Sequence, residues 1–167
     1  ASRRELFDRL AALSIETRTV DHPPVFTVEE ARALRGDIPG GHAKNLFLKD
    51  RKGALFLLVA EEDARVDLKT VHHAIGASGR VSFGKPDLLM EVLGVAPGSV
   101  TPFAVVNDPE GRVRVALDRA LLAQELVNFH PLSNDATTSI RSADLVRFLE
   151  ATGHPPLPVD LAAPGEG

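Results

Sequence analysis

The chain has 167 residues, a formal charge of −4 and no cysteine, and phenylalanine is its only Phe/Tyr/Trp aromatic, present eight times. That length makes one domain able to bury about two thirds of its unfolded surface, and the missing thiols exclude disulfides, cysteine nucleophiles and thiolate metal sites. The acidic balance excludes a protein that coats long duplexes by counterion release, though it leaves room for contact with one nucleic-acid end, where stacking would fall to Phe, His or Arg.

No window approaches the roughly 18 uninterrupted apolar residues of a membrane span, and ASRRELFDRL reads as an amphipathic helix rather than a signal peptide. The expectation is a soluble, cytoplasmic protein with no membrane partner. Ser2 and Glu5 form a capping box ahead of Leu6, Leu10 and Leu13, predicting a first helix that ends near Ser14. Glu16 to Asp21 alternates as a strand, and His22-Pro23-Pro24 stops it because proline offers no ladder donor. Thr27 and Glu30 suggest a second capping box, for a helix through Ala33 or Leu34, followed by the Gly/Pro-rich loop 35–41.

Ala43 to Leu48 and Ala54 to Ala60 predict a hairpin around the charged turn 49–53; the second strand, apolar on both faces, belongs in the sheet interior. Asp67 is read as the cap of a helix running through Ala74 and Ile75, with Gly76 near its end. Val81 to Phe83 reads as a short strand, and Lys85 to Leu93 as a helix with Pro86 in its first turn. After the rigid loop Gly94 to Pro102, Phe103 to Asn107 and Arg112 to Leu117 predict another turn-linked strand pair. Asp118 opens a helical turn, Glu125 to Phe129 and Ala136 to Ile140 read as strands, and Ser142 is the expected cap of a last helix, Ala143 to Ala151. From Pro155 the tail is rich in Pro, Ala and Gly and is expected to fray, so the domain is drawn as 1–154 with a flexible tail over 155–167. The fold class is α+β: a mixed, largely antiparallel, barrel-like sheet flanked by helices.

Three segments carry unusual polar content. In GGHAKNLFLKD, Lys44 and Asn45 stand at the mouth of a buried strand, where the lysine must snorkel to water or bind an anion. The loop that starts at Gly94 leaves several N–H groups without an obvious ladder partner, so it can present donors to a developing oxyanion. His130 is followed by Ser133, Asn134, Asp135 and Thr137; Asp135 could orient His130, but the spacing is too loose for a dyad, and no serine is placed as a nucleophile. His72 and His73 point about 100° apart on a helix and do not form a metal pair, and no metal or cofactor is expected.

Together HPPVFTVEEA, GGHAKNLFLKD, GVAPGSVTPFAVVND and NFHPLSNDATTSI, in that order, resemble the YbaK-like aminoacyl-tRNA deacylases, the free-standing relatives of the editing insertion of bacterial prolyl-tRNA synthetase. The resemblance runs from about His22 to the last helix. It implies hydrolysis, in trans, of the ester in mischarged Ala-tRNA(Pro). On that resemblance Lys44 would hold the phosphate or terminal adenosine of the acceptor end. The Gly98 N–H would meet the ester carbonyl, and His130 would position the terminal adenosine or water. Thr137 falls on a position that is polar in related deacylases. Asn45 and Gly94 are candidate substrate contacts beside Lys44 and Gly98.

An aminoacyl ester is already activated, so a positioned water and oxyanion donors suffice without a strong nucleophile. Val20, Val25, Phe26 and Val28 are candidate walls of a small sieve that admits alanine; their alternative is ordinary core packing. Arg3, Arg4, Arg80, Lys85 and Arg141 are candidates to meet the acceptor stem. The partner implied is the tRNA acceptor end, with docking to prolyl-tRNA synthetase left open and a monomer expected. Two rival functions stay open: deacylation of another small residue such as Ser or Cys, and non-catalytic binding of tRNA or a synthetase.

Overall fold

The computed structural model describes residues 2–24 and 40–161. The helix expected from Thr27, and with it Val25, Phe26 and Val28, lies outside the described residues. At the N-terminus the Ser2 hydroxyl accepts from the Glu5 N–H at 3.1 Å and the Glu5 carboxylate accepts from the Ser2 N–H at 3.2 Å. That box starts α1 (Arg3–Ala12), which buries Leu6 and Leu10.

The strands β1 (Thr17–Asp21), β2 (Gly41–Lys49), β3 (Leu55–Glu61), β4 (Ser82–Phe83), β5 (Val113–Asp118), β6 (Leu126–Phe129), β7 (Ala136–Arg141) and β8 (Leu157–Val159) form a mixed sheet. Its order is β1-β7-β6-β2-β3-β5-β8, with β4 against β2. Neighbours are antiparallel at β1/β7, β6/β7, β2/β3 and β2/β4, and parallel at β2/β6, β3/β5 and β5/β8. The expected α+β domain around a mixed sheet is the one observed.

β3 shows why a two-faced apolar run belongs inside a sheet. Leu55, Leu57 and Val59 enter the main core, beneath α1, α3 (Pro86–Leu93) and α5 (Ser142–Ala151). Phe56, Leu58 and Ala60 enter a second core with Leu48, Val71, Ile75 and Val159. The α2 helix (His72–Ile75) contributes Ile75 to that second core, and α4 (Arg119–Leu122) contributes Leu121 to the first.

The β2–β3 turn is held by Asp50, whose carboxylate accepts from the N–H groups of Lys52, Ala54 and Ser78, each at 2.9 Å. These three donors, Ser78 foremost, hold its carboxyl below the ordinary aspartate range. His154 and Asp108 make a second buried polar contact, Nε2 to Oδ2 at 2.9 Å, and Asp108 also accepts from the N–H groups of Arg112 and Val113.

Several expectations are corrected. Phe103 to Asn107 is no strand but part of a 3-10 helix, Pro102–Asn107. Pro102 lacks the donor a ladder needs, and the Thr101 hydroxyl accepts from the Phe103 N–H, which starts a helical turn instead. Ser142 does not cap α5: its hydroxyl donates to the Gln124 carbonyl at 2.6 Å, and the cap position is Arg141. Asp67 accepts from the Lys69 N–H in a turn ahead of α2, which begins five residues later. The tail from Pro155 does not fray at once, because Leu157–Val159 pairs with β5 and buries Val159. The His72 and His73 rings, expected to diverge, lie 4.0 Å apart between centroids. No helix among the described residues is long and apolar enough to cross a membrane.

Candidate active site

The end of β1, the start of β7 and the turn around Gly98 come close to the hairpin that begins at His130. β6 stops at Phe129, and the next residue, His130, sets its Nδ1 2.9 Å from the Ala136 carbonyl oxygen. A carbonyl only accepts, so Nδ1 carries the proton and Nε2 of the neutral ring is left as an acceptor. Burial keeps that ring neutral: it pushes the imidazole below its ordinary pKa, the neighbouring His22 adds to the effect, and the Ala136 bond and Asp135 oppose it.

The hairpin from His130 to Asp135 is tight. Leu132 sits at φ 72, a left-handed backbone rarely taken by a branched residue, and its side chain packs on the main core. Asp135 does not orient His130. It accepts from the Ser133 hydroxyl at 2.6 Å and from Arg3 at 2.7 Å, and both partners hold its carboxyl below the ordinary range, the hydroxyl more strongly. Arg3 also donates to Asp21 at 2.9 Å, so its guanidinium clamps the end of β1 to this hairpin.

Gly98 lies in the 3-10 turn Pro97–Ser99, exposed, and its N–H has no partner among the described residues. A methyl group built on it would stand 3.4 Å from Nδ2 of Asn134, so this turn abuts the hairpin that carries His130. Gly94 is explained locally: it ends α3 at φ 67, beside the Asn107 side chain, which donates to the Leu93 carbonyl.

β2 and β6 run parallel with His42 beside Asn128. The pairing ends there: Lys44 lies two residues further along β2, and His130 is the first residue past the end of β6. The Lys44 ammonium donates to the Ala64 carbonyl, which leaves two of its three N–H groups for other acceptors. Asn45, next in the pleat, faces the opposite side; its Oδ1 is buried without a partner, so Lys44 and Asn45 are not brought together. Thr137, the second residue of β7, pairs with Val20 of β1, which is 41% exposed. Arg4, Arg80, Lys85 and Arg141 are all exposed.

Sequence reasoning missed His22, taking it only for part of a strand stop. Its Nε2 lies 2.8 Å from the Thr137 hydroxyl and its ring centroid 6.3 Å from that of His130. The signal was the pairing of β1 with β7, two segments more than a hundred residues apart, which no local pattern encodes.

The Gly98 turn and the His130 hairpin thus offer an unengaged backbone N–H and a neutral imidazole acceptor, and Lys44 on β2 carries an ammonium with donors to spare, with no activated nucleophile among the described residues. Such a set can polarise and position an ester for attack by water. Comparison with known proteins agrees in kind. The solved structure described as "hypothetical protein APE2540" superposes with a TM-score of 0.73 at 24% identity, covering 96% of this chain and 99% of that one, a likeness of fold. The mouse (Mus musculus) "Prolyl-tRNA synthetase associated domain-containing protein 1" is 40% identical over 159 residues, 93% of this chain and 94% of that protein. "Prolyl-tRNA editing protein ProX" of Acetoanaerobium sticklandii is 34% identical over 154 residues, 92% and 93% of the two chains. The family model described as "Aminoacyl-tRNA editing domain" matches residues 22–148, which take in Lys44, Gly98, His130 and the His22–Thr137 contact, and the chain belongs to that family.

Proposed function

We propose that the chain is a deacylase that hydrolyses, in trans, the ester of mischarged Ala-tRNA(Pro). Water attacks the ester carbonyl with help from the ribose hydroxyl of the substrate. The Gly98 N–H and a neighbouring amide receive the oxyanion, and Lys44 holds the phosphate or terminal adenosine of the acceptor end. His130 takes a hydrogen bond from the water or the terminal nucleoside through Nε2. Val20 and Thr137, with the segment that carries Val25, Phe26 and Val28, complete the substrate contacts; Asn45, on the opposite face, is not among them. Prolyl-tRNA editing is the activity in the printed name of the Acetoanaerobium sticklandii relative, and it supports the tRNA half of this reading.

The observation that supports the reading is that the Gly98 turn lies close to Asn134 of the hairpin that begins at His130, so an unengaged amide donor and an imidazole acceptor belong to neighbouring loops. An activated ester needs little more than that pair and a positioned water. The test is turnover: catalytic amounts are incubated with Ala-tRNA(Pro), Ser-tRNA and Pro-tRNA(Pro), and release of free amino acid is followed. Multiple turnovers on Ala-tRNA(Pro), with Pro-tRNA(Pro) spared, are expected. Tight binding without turnover would refute catalysis, and faster release of serine would refute the choice of alanine.

A further inference from the structure

We propose that His22 is a positioning residue that fixes the Thr137 hydroxyl as a hydrogen-bond acceptor for a donor on the bound aminoacyl ester, either its α-ammonium or the adjacent ribose hydroxyl. The proposal deepens the deacylase reading and rests on it for the identity of the substrate.

The polarity follows from what each atom can do. His22 Nδ1 lies 2.9 Å from the Pro23 carbonyl oxygen, which cannot donate, so Nδ1 carries the ring proton. Nε2 of the neutral ring is then bare, and at 2.8 Å the Thr137 hydroxyl must be the donor. A hydroxyl has one proton. With it spent on His22, the Thr137 oxygen can only accept from anything else.

The ring is held in place to do this. Its own backbone N–H donates to the Asp135 carbonyl at 2.9 Å, Pro23 restricts the backbone that follows, and Arg3 ties Asp21 to Asp135 alongside. His130 is built the same way, with Nδ1 bonded to a carbonyl and Nε2 left bare, and the two rings meet at 6.3 Å in an edge-on arrangement. The fold therefore presents two neutral acceptors, His130 Nε2 and Thr137 Oγ1, on segments neighbouring the turn of the Gly98 N–H donor, and Lys44 on β2 adds an ammonium. An aminoacyl ester at the tip of a nucleic acid has both kinds of group. Its carbonyl and phosphates call for donors, and its ammonium and ribose hydroxyl call for acceptors. A hydroxyl free to rotate would satisfy either; the His22 bond removes that freedom, which is pre-organisation of the kind that separates one substrate from another.

The test has two parts. In the full chain labelled with 15N-histidine, the His22 ring is expected to show a protonated, pyrrole-type Nδ1 and a bare, pyridine-type Nε2; the reverse assignment overturns the proposal whether or not the protein turns over. In kinetics, Thr137→Val and His22→Phe are each expected to lower kcat/KM on alanyl-tRNA about tenfold, while Thr137→Ser, which restores the hydroxyl, stays within about threefold. Circular dichroism identifies any variant that fails to fold. The same proteins are then given N-acetylalanyl-tRNA and alanyl-tRNA ending in 2′-deoxyadenosine. If the ammonium is the donor, the wild-type advantage over Thr137→Val vanishes on the acetylated substrate; if the ribose hydroxyl is, it vanishes on the deoxy substrate. An equal loss on all three substrates overturns the proposal. A wild type inactive on every one overturns the deacylase reading itself, and with it the substrate half of this inference.

Discussion

Gly98→Ala separates stability from chemistry at the proposed oxyanion site. Gly98 does not occupy the left-handed region, so alanine can take its backbone without strain. The added methyl meets its nearest heavy atom, Nδ2 of Asn134, at 3.4 Å, the near edge of ordinary contact. Restricting the unfolded chain returns about 0.4–1 kcal/mol, and the close contact takes back a similar amount, so stability should move by less than about 1 kcal/mol. In a domain of this size that is a melting shift of roughly 2–4 °C at most. The methyl, however, stands between the Pro97–Ser99 turn and the His130 hairpin, where the ester carbonyl has to reach the amide. Losing one oxyanion donor costs about 10² to 10³ in rate in enzymes that depend on it, and a displaced carbonyl should cost at least tenfold. The assay is single-turnover deacylation of Ala-tRNA(Pro) beside a thermal melt. A variant that melts like the wild type and deacylates within threefold of it would refute the oxyanion role. Gly94→Ala is the counterpart: at φ 67 its methyl would come within 2.9 Å of Asn107 Nδ2, so about 1–3 kcal/mol of stability should be lost. If its rate falls further than its folded fraction does, Gly94 contacts the substrate directly.

Lys44→Ala should slow deacylation about tenfold or more, the worth of one charge-assisted contact, and a loss under threefold would remove Lys44 from the site. His130 must be neutral to accept through Nε2 and burial lowers its pKa, so activity should hold across neutral pH and fall only on acidification below the ordinary histidine range of about 6.5. The same depression works on folding: below the unfolded-state pKa the unfolded chain binds more protons at this residue, so its contribution to stability declines as pH falls, and a His130→Phe variant should lack that slope in a pH series of melts. Asp50→Ala removes the buried carboxylate that three part-buried backbone N–H groups share and should cost about 2–4 kcal/mol by chemical denaturation, with activity per folded molecule unchanged. Because the Asp50 pKa is lowered by folding, its contribution is complete above the unfolded carboxylate pKa of about 4 and is lost as pH falls from there through the lower folded-state pKa; Asp50→Asn should abolish that acid dependence.

Local chemistry was legible in the sequence wherever local chemistry decides. The Ser2–Glu5 box, Pro86 at the head of α3, the charged turn between β2 and β3, and the two-faced apolar run of β3 each state their own structure. The failures have a common cause. Phe103 to Asn107 has the composition of a strand, but Pro102 and Thr101 set a helical turn that composition hides. The tail from Pro155 reads as loose because what orders Leu157–Val159 is the free edge of β5, forty residues upstream. Ser142 looks like a cap because the Gln124 carbonyl that takes its proton is invisible to a local pattern. At the site, Lys44, Gly98 and His130 stood out because each is odd for its position. His22 did not, since its significance lies wholly in a partner 115 residues away.

That partner is set by strand order, which explains why His22, Thr137 and His130 gather at one end of the sheet. β6 runs parallel to β2, in register at His42–Asn128, and His130 follows directly where β6 ends. β7 returns antiparallel to β6, so its first residues, Ala136 and Thr137, lie where β6 leaves off. β1 runs antiparallel to β7, so its last residues and His22 come to that same level. Three segments, the ends of β6 and β1 and the start of β7, thus converge through register, and the length of the His130–Asp135 hairpin fixes how closely. Inserting one residue there would shift Ala136 and Thr137 relative to His130 and break the Nδ1 bond to the Ala136 carbonyl, while the Thr19–Thr138 pair and the buried Ile140 could keep β1 and β7 in register. Catalysis built on these groups should then fail in a protein that still folds, whereas binding of the acceptor end through Lys44, on a different strand, should survive.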